Sequence, residues 1–327
     1  MLSIITGDAI LMTSILEDYL VKTHDTFQSF TVEDLLYPIR NCSQFFERGF
    51  LIRKIGGLLQ VEDLICNNIA IGVELQMTAS FVLDDIIDNS YLRNNKQTTF
   101  ANFGRNDAML ISNILTLLSQ NAIASVVHYF PPQNRRLILN KFQQAFVAVQ
   151  SGQHYGLSGY KLKVTDVDQI ANLKSGQLLS LCCSFSSRIK NQDILSLNLD
   201  LFGKYLGILL QHQNDILDCK ESFNDFFNNQ ANLVISHLYE RLLLEDNQKI
   251  LDEILYSKDK DSAIIQLSYL CSEKDANESA INYLQRYTNA AHEVLSRITD
   301  KGLNRFLFGL LELITANNSI YSQSILA

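Results

Sequence analysis

Two carboxylates four residues apart close an otherwise apolar helical run, in Phe81-Val82-Leu83-Asp84-Asp85-Ile86-Ile87-Asp88-Asn89. On a helix, positions i and i+4 share a face, so Asp84 and Asp88 project side by side. Held against an apolar wall they repel each other and lose hydration, so they call for a cation. Hard oxygen ligands at that spacing suit Mg²⁺ bridging to a phosphate. A second cluster, Gln211-His212-Gln213-Asn214-Asp215-Ile216-Leu217-Asp218, lies in another apolar helical run. Together they predict a metal cage that clamps a diphosphate between facing helices.

The rest of the chain supports a helical frame for such a cage. Among 327 residues, 3 prolines and 14 glycines leave room for long helices, and a 47% hydrophobic content can fill a large core. No sustained period-2 alternation argues for a sheet. Helices are predicted over 8–22, over 58–88 with a turn near Cys66-Asn67-Asn68, and over 107–127, 134–152, 166–190 and 193–219. Residues 89–106 read as a polar loop over the first cluster. With no repeat or linker, one all-α domain over 1–327 is the simplest account.

A net charge of −8 argues against a nucleic-acid binder, though not against an anionic substrate that arrives with a metal. The six cysteines form no C-x-x-C pair, which fits a reducing, cytoplasmic setting. No signal-peptide pattern opens the sequence. No apolar run reaches about 18 residues without polar interruption, so no membrane span is expected.

The ordered motifs resemble the trans-isoprenyl diphosphate synthase superfamily over most of the chain. Residues 74–93 match its first aspartate-rich region, continued by Lys96-Gln97-Thr98 and Asn102-Phe103-Gly104. Lys174-Ser175 is similar to its lysine-threonine dipeptide, and Gly207, Gln211 and Asn214-Asp215-Ile216-Leu217-Asp218 to its second region. The resemblance implies the isoprenoid synthase fold, a single large helical bundle with a central active-site cavity, and a homodimer. It implies ionisation of an allylic prenyl diphosphate with three Mg²⁺ ions as Lewis acids. Asp84, Asp88, Asn214, Asp215 and Asp218 would be the metal ligands. Arg93, Lys174 and Gln211 would bind the diphosphate, with Asp84, Asp88, Lys174 and Asp215 central to catalysis. Asp85, rotated by about 100°, would support from behind. Ala79, Ser80 and Phe81 would line a pocket sized for a C15 or C20 chain.

The departures from the family pattern lie on one side. Its homoallylic site, which binds isopentenyl diphosphate, uses a Gly-Lys-x-x-Arg-type motif, a histidine and the second of two arginines. Here the matching positions are Gly49-Phe50-Leu51-Ile52-Arg53, Met77 and Asn94. Each charge-assisted contact contributes ~1.5–3 kcal/mol, so one remaining arginine would hold a second diphosphate poorly. Asn214 replaces an aspartate, Ser222 stands where the related terpene-synthase motif has a glutamate, and Asn229-Gln230 replace a Gly-Lys pair.

This asymmetry predicts ionisation without ordinary elongation. The cation would be captured by cyclisation, as in terpene cyclases, or by a non-isopentenyl acceptor such as a peptide indole. The run Gly152-Gln153-His154 with Lys174-Ser175-Gly176 is similar to pheromone-peptide isoprenyl transferases. A conventional chain-elongating synthase and a silent regulatory subunit are the alternatives. Against these roles stand ordinary ones. His154 and His212 lack a second metal-ligand partner at helical spacing. Tyr155 and Tyr160 suit packing, and Phe45-Phe46-Phe50 suit a core or dimer interface.

Overall fold

Sparse proline and glycine are realised as helices nearly throughout. In the computed structural model the backbone is described for residues 2–26, 29–42, 47–93 and 95–323, and side chains for 9–26, 29–41, 48–93 and 95–316. Phe45, Phe46 and Asn94 lie outside the described residues. In chain order the helices are α1 (Leu2–Thr23), α2 (Val32–Cys42), α3 (Glu47–Leu58), α4 (Asp63–Ile87), α5 (Thr99–Val126), α6 (Pro132–Gly156), α7 (Val164–Ala171) and α8 (Gln177–Ile189). They continue as α9 (Asp193–Glu221), α10 (Asn224–Phe227), α11 (Leu233–Leu244), α12 (Lys249–Leu255), α13 (Lys260–Glu273), α14 (Ala276–Ser296) and α15 (Lys301–Gln323). A π-helical turn, Asn172–Gly176, joins α7 to α8. The chain divides into two compact units, Met1–Phe142 with Cys182–Ser196, and Gln143–Leu181 with Leu197–Ala327.

In the first unit α4 packs along α5 and also meets α1, α2 and α3. The α4–α5 seam uses small residues. Ser119 Oγ donates to Gly72 O at 2.6 Å, and Ser112 Oγ donates to Ala79 O at 2.9 Å. A Cβ on Gly72 would come within 2.7 Å of Ile123 Cδ1 and Cγ1, so only glycine admits this approach. Ala79, seven residues on, shares that face and is fully buried. The seam fixes the helix that ends in Asp84, Asp85 and Asp88.

The second unit is built on α11, which meets α7, α13 and α14, and on α14, which meets α15. Cβ atoms on Gly203 or Gly207 would run into the backbone of Leu179 and Ser175, so these glycines let α9 cross the π turn and the start of α8 closely. Asn232 caps α11 by accepting from Val234 N and Ile235 N.

Three boundaries differ from the sequence reading. The turn expected near Cys66-Asn67-Asn68 lies earlier, with Gln60 at φ 55°, because Asn68 bonds back to Leu64 O within the helix. The loop expected over 89–106 contains a two-stranded antiparallel ribbon, Leu92–Arg93 with Lys96–Gln97. The next helix starts at Thr99 rather than 107, because Thr98 caps it by accepting from Ala101 N, and it continues past a kink at Gly104. Among the described residues one helix, Thr99–Tyr129, is long and apolar enough by length and composition to cross a membrane. Ser112, Asn113, Thr116, Ser119 and Asn121 interrupt its apolar residues, as the sequence reading has it, and part of its apolar surface is the α4 seam.

Gly72→Val should overpack the α4–α5 seam and lower stability by about 1–3 kcal/mol, read from urea unfolding. An unchanged midpoint would show that α5 moves aside freely.

Candidate active site

The first acidic region belongs to the first unit. Asp84 is half-buried, Asp88 is exposed and caps α4 with its N–H on Asp84 O, and Asp85 is buried. Arg93, on the ribbon, reaches Asp85 Oδ1 through Nε at 3.0 Å and Nη2 at 2.9 Å. Asp85 thus holds the arginine, whereas the sequence reading has it supporting Asp84 and Asp88. Burial nonetheless raises the Asp85 pKa, more than Arg93 lowers it. The Arg93 guanidinium also lies 5.0 Å from the Phe81 ring centroid, and Arg48 lies 5.9 Å from the same ring. Ser80 is buried and bonds back to Gln76 O, while Ala79 sits on the α5 face described above.

Three positions that the sequence aligns with the homoallylic motif lie on α3 and α4. Phe50, Leu51 and Met77 are all buried. Glu74, also buried, accepts from Gly49 N at 2.6 Å and so caps the start of α3. Arg53 is half-buried, and its charge is felt at Cys66.

The second unit carries Lys174, Ser175, Gln211, Asn214, Asp215 and Asp218. Lys174 stands in the π turn, a geometry that re-aims side chains. Gly152 makes room for it, since a Cβ there would lie 2.8 Å from Lys174 N and Cγ. Ser175 Oγ donates to Gln211 Oε1 at 3.3 Å, and Gln211 Nε2 donates to Asp215 Oδ1 at 3.1 Å. Asp215 Oδ2 accepts from Leu233 N at 3.0 Å. Asp218 accepts from Asn224 N at 2.9 Å, Asp225 N at 3.1 Å and Ser222 Oγ at 3.2 Å. Asn214 is exposed, as are Glu221 and His154. Asn229 adopts φ 53°, a backbone state that glycine or asparagine takes readily.

Asp225, and the partners of His212, are absent from the sequence reading. Asp225, seven residues after Asp218, joins the cluster and accepts from Asn232 Nδ2 at 3.0 Å. Burial, and then the charges of Asp218 and Asp215, push its pKa up to about 7, against an opposing pull from Lys174. His212 is fully buried, with Nε2 3.2 Å from Asp168 Oδ1 and Nδ1 3.6 Å from Asp215 Oδ2. Tyr287 donates to both carboxylate oxygens of Asp168. Burial opposes charge on both partners, but the hydrogen bonds prevail, raising the His212 pKa and lowering that of Asp168.

The donor set fits Mg²⁺ in one manner. Among the described residues no three His, Cys, Asp or Glu side chains converge to hold an ion by themselves. Mg²⁺ usually keeps waters and binds through one or two carboxylates plus substrate phosphates. Carboxylate oxygens keep a lone pair after accepting one hydrogen bond, so Asp215 and Asp218 retain that capacity. Burial raises the Asp218 pKa more than its hydrogen-bond donors lower it, and the Asp215 charge adds to the rise.

Asp225 generates a pH prediction. Its folded pKa lies above the unfolded value, so the folded state binds a proton more tightly. The metal-free protein should therefore lose stability as pH rises from about 4 to about 7. Asp225→Asn should flatten this slope in urea titrations with chelator present; an identical slope would contradict it.

The comparisons with known proteins bear on the family and the fold. The family described as polyprenyl synthetase matches residues 47–270. Over 185 residues the chain is 29% identical to the farnesyl diphosphate synthase of Buchnera aphidicola subsp. Schizaphis graminum, covering 53% of this chain and 62% of that one. It is 22% identical to the geranylgeranyl diphosphate synthase of Sulfolobus acidocaldarius, over 70% of this chain and 73% of that one. The structure is similar to geranylgeranyl pyrophosphate synthetase from Pyrococcus horikoshii Ot3, with a TM-score of 0.81, 20% identity and coverage of 95% and 97%. Heptaprenyl diphosphate synthase from Staphylococcus aureus gives a TM-score of 0.77 at 18% identity, with coverage of 96% and 98%. The fold is thus the all-α isoprenoid synthase fold, and the chain belongs to the polyprenyl synthetase family.

Proposed function

We propose that this protein is an Mg²⁺-dependent isoprenoid synthase that ionises an allylic prenyl diphosphate of C15–C20. The cation is then cyclised or passed to a non-isopentenyl acceptor, an indole-bearing peptide being one candidate. The observation that carries this reading is the burial of Phe50, Leu51 and Met77 beside Glu74. An apolar wall with a buried carboxylate is a poor host for a second diphosphate.

In this reading residues 1–327 work as one domain. Asp84 and Asp88 would be the metal ligands of the first unit, and Asn214, Asp215 and Asp218 those of the second. The bound metal, three ions by family analogy, would act as a Lewis acid on the departing diphosphate. Lys174, Gln211 and Arg93 would bind and orient its oxygens, with Arg93 held in place by Asp85. Ser80 and Phe81, with Ala79 behind them, would shape the wall against the isoprenoid chain. Cys66, Cys182, Cys183, Cys219 and Cys271 are buried and form no disulfide, which suits a cytoplasmic setting.

A second reading, the conventional elongating synthase, is supported by the relatives and by Arg48. That residue directly precedes Gly49, stands over Phe81 with Arg93, and has a buried Nε without a hydrogen-bond partner. It would be the cation that replaces the missing lysine.

Pyrophosphate release from farnesyl and geranylgeranyl diphosphate separates the two. Release should require Mg²⁺ but not isopentenyl diphosphate, and Asp84→Ala should lower it on the order of 10²-fold or more. Activity that appears only with isopentenyl diphosphate, and falls in Arg48→Ala, would establish the second reading instead.

A further inference from the structure

We infer that His212 is a positioning residue that ties the metal-binding face of α9 to the helical run carrying Lys174. The inference rests on the reading of Asp215 as a metal ligand. Two consecutive residues of α9 reach that run at different heights. Gln211 meets Ser175 at 3.3 Å, and His212 meets Asp168 at 3.2 Å. Lys174 lies between these two tethers together with Asn172 and Leu173 of the π turn, and Ser175 belongs to the turn itself. A π turn admits more than one register, so its side chains stand in one place only when neighbours over-determine it. The same two α9 residues also face Asp215: Gln211 donates to Oδ1, and His212 Nδ1 stands 3.6 Å from Oδ2, an ion-pair approach longer than a hydrogen bond.

Packing alone does not explain this choice of residue. A buried imidazole between two carboxylates costs desolvation that an apolar side chain would avoid. The arrangement is also supported from outside. Tyr287 donates to Asp168, and the rings of Tyr283 and Tyr287 flank the imidazole at 6.0 and 6.4 Å. Tyr287, Asp168, His212 and Asp215 therefore form one chain of contacts across α14, α7 and α9. Partners behind a metal ligand typically affect metal affinity about 10–100-fold.

The test measures Mn²⁺ binding to the full chain by electron paramagnetic resonance, with inorganic pyrophosphate present. His212→Phe should weaken Mn²⁺ binding about 10–100-fold while circular dichroism shows unchanged helix content. Tyr287→Phe removes one hydroxyl and keeps the buried pair, so it should lose affinity in the same direction by less. If His212→Phe does not fold, Tyr287→Phe decides the matter. Asp215→Asn is the control for the underlying reading. Loss of Mn²⁺ affinity in Asp215→Asn with none in the folded His212 and Tyr287 variants would overturn the positioning role alone. Unchanged affinity in Asp215→Asn would overturn both.

Discussion

Confining carboxylates beside apolar helix surface is the constraint on which the rest of the structure depends. Each such group loses hydration, and only donors or cations restore what it loses. The two units meet this demand differently. In the first, Asp85 is buried against Arg93 and leaves Asp84 and Asp88 toward solvent. In the second, backbone N–H groups of Asn224, Asp225 and Leu233 and the side chains of Gln211 and Ser222 support Asp215 and Asp218. The local folding of α10 and α11 is thus part of the acidic site, since their first N–H groups are the donors.

What was legible in the sequence was whatever repeats locally. The i, i+4 acids, the apolar periodicity and the Lys174-Ser175 dipeptide can all be read from neighbours in the chain. Gly207 was legible as a motif position, but its physical role, close passage over Ser175, needed the crossing of two helices. Asp225 was missed because it belongs to no helical spacing; it joins the cluster through a tight turn at Phe223 with φ 52°. His212 looked like a lone histidine because its partner Asp168 is 44 residues away, and Asp168 lies another 119 from Tyr287. Ala79, read as pocket lining, shares its helix face with Gly72 in the α4–α5 seam. Helix ends failed where a cap or a back-bond decided them, as at Thr98 and Asn68.

The proposed function rests on an asymmetry between two kinds of anion site. In that proposal the acids of each unit, with Arg93 in the first and Lys174 in the second, suit a metal-bound diphosphate. On α3 and the middle of α4, Phe50, Leu51 and Met77 are buried and apolar, and the proposal reads them as standing where a second diphosphate would need cations. Arg48 is the residue on which this contrast turns, because its guanidinium approaches the same aromatic ring as Arg93. A cation over a π face would compensate little for the contacts that the proposal takes as lost.

Calorimetric binding in Mg²⁺ tests the asymmetry most directly, because it does not depend on turnover or on the acceptor. An unreactive thiolodiphosphate analogue of farnesyl diphosphate should bind saturably and only with metal. Isopentenyl diphosphate should then show no saturable binding to the analogue-filled protein. Stoichiometric binding of both ligands together would contradict the account and restore a working second diphosphate site.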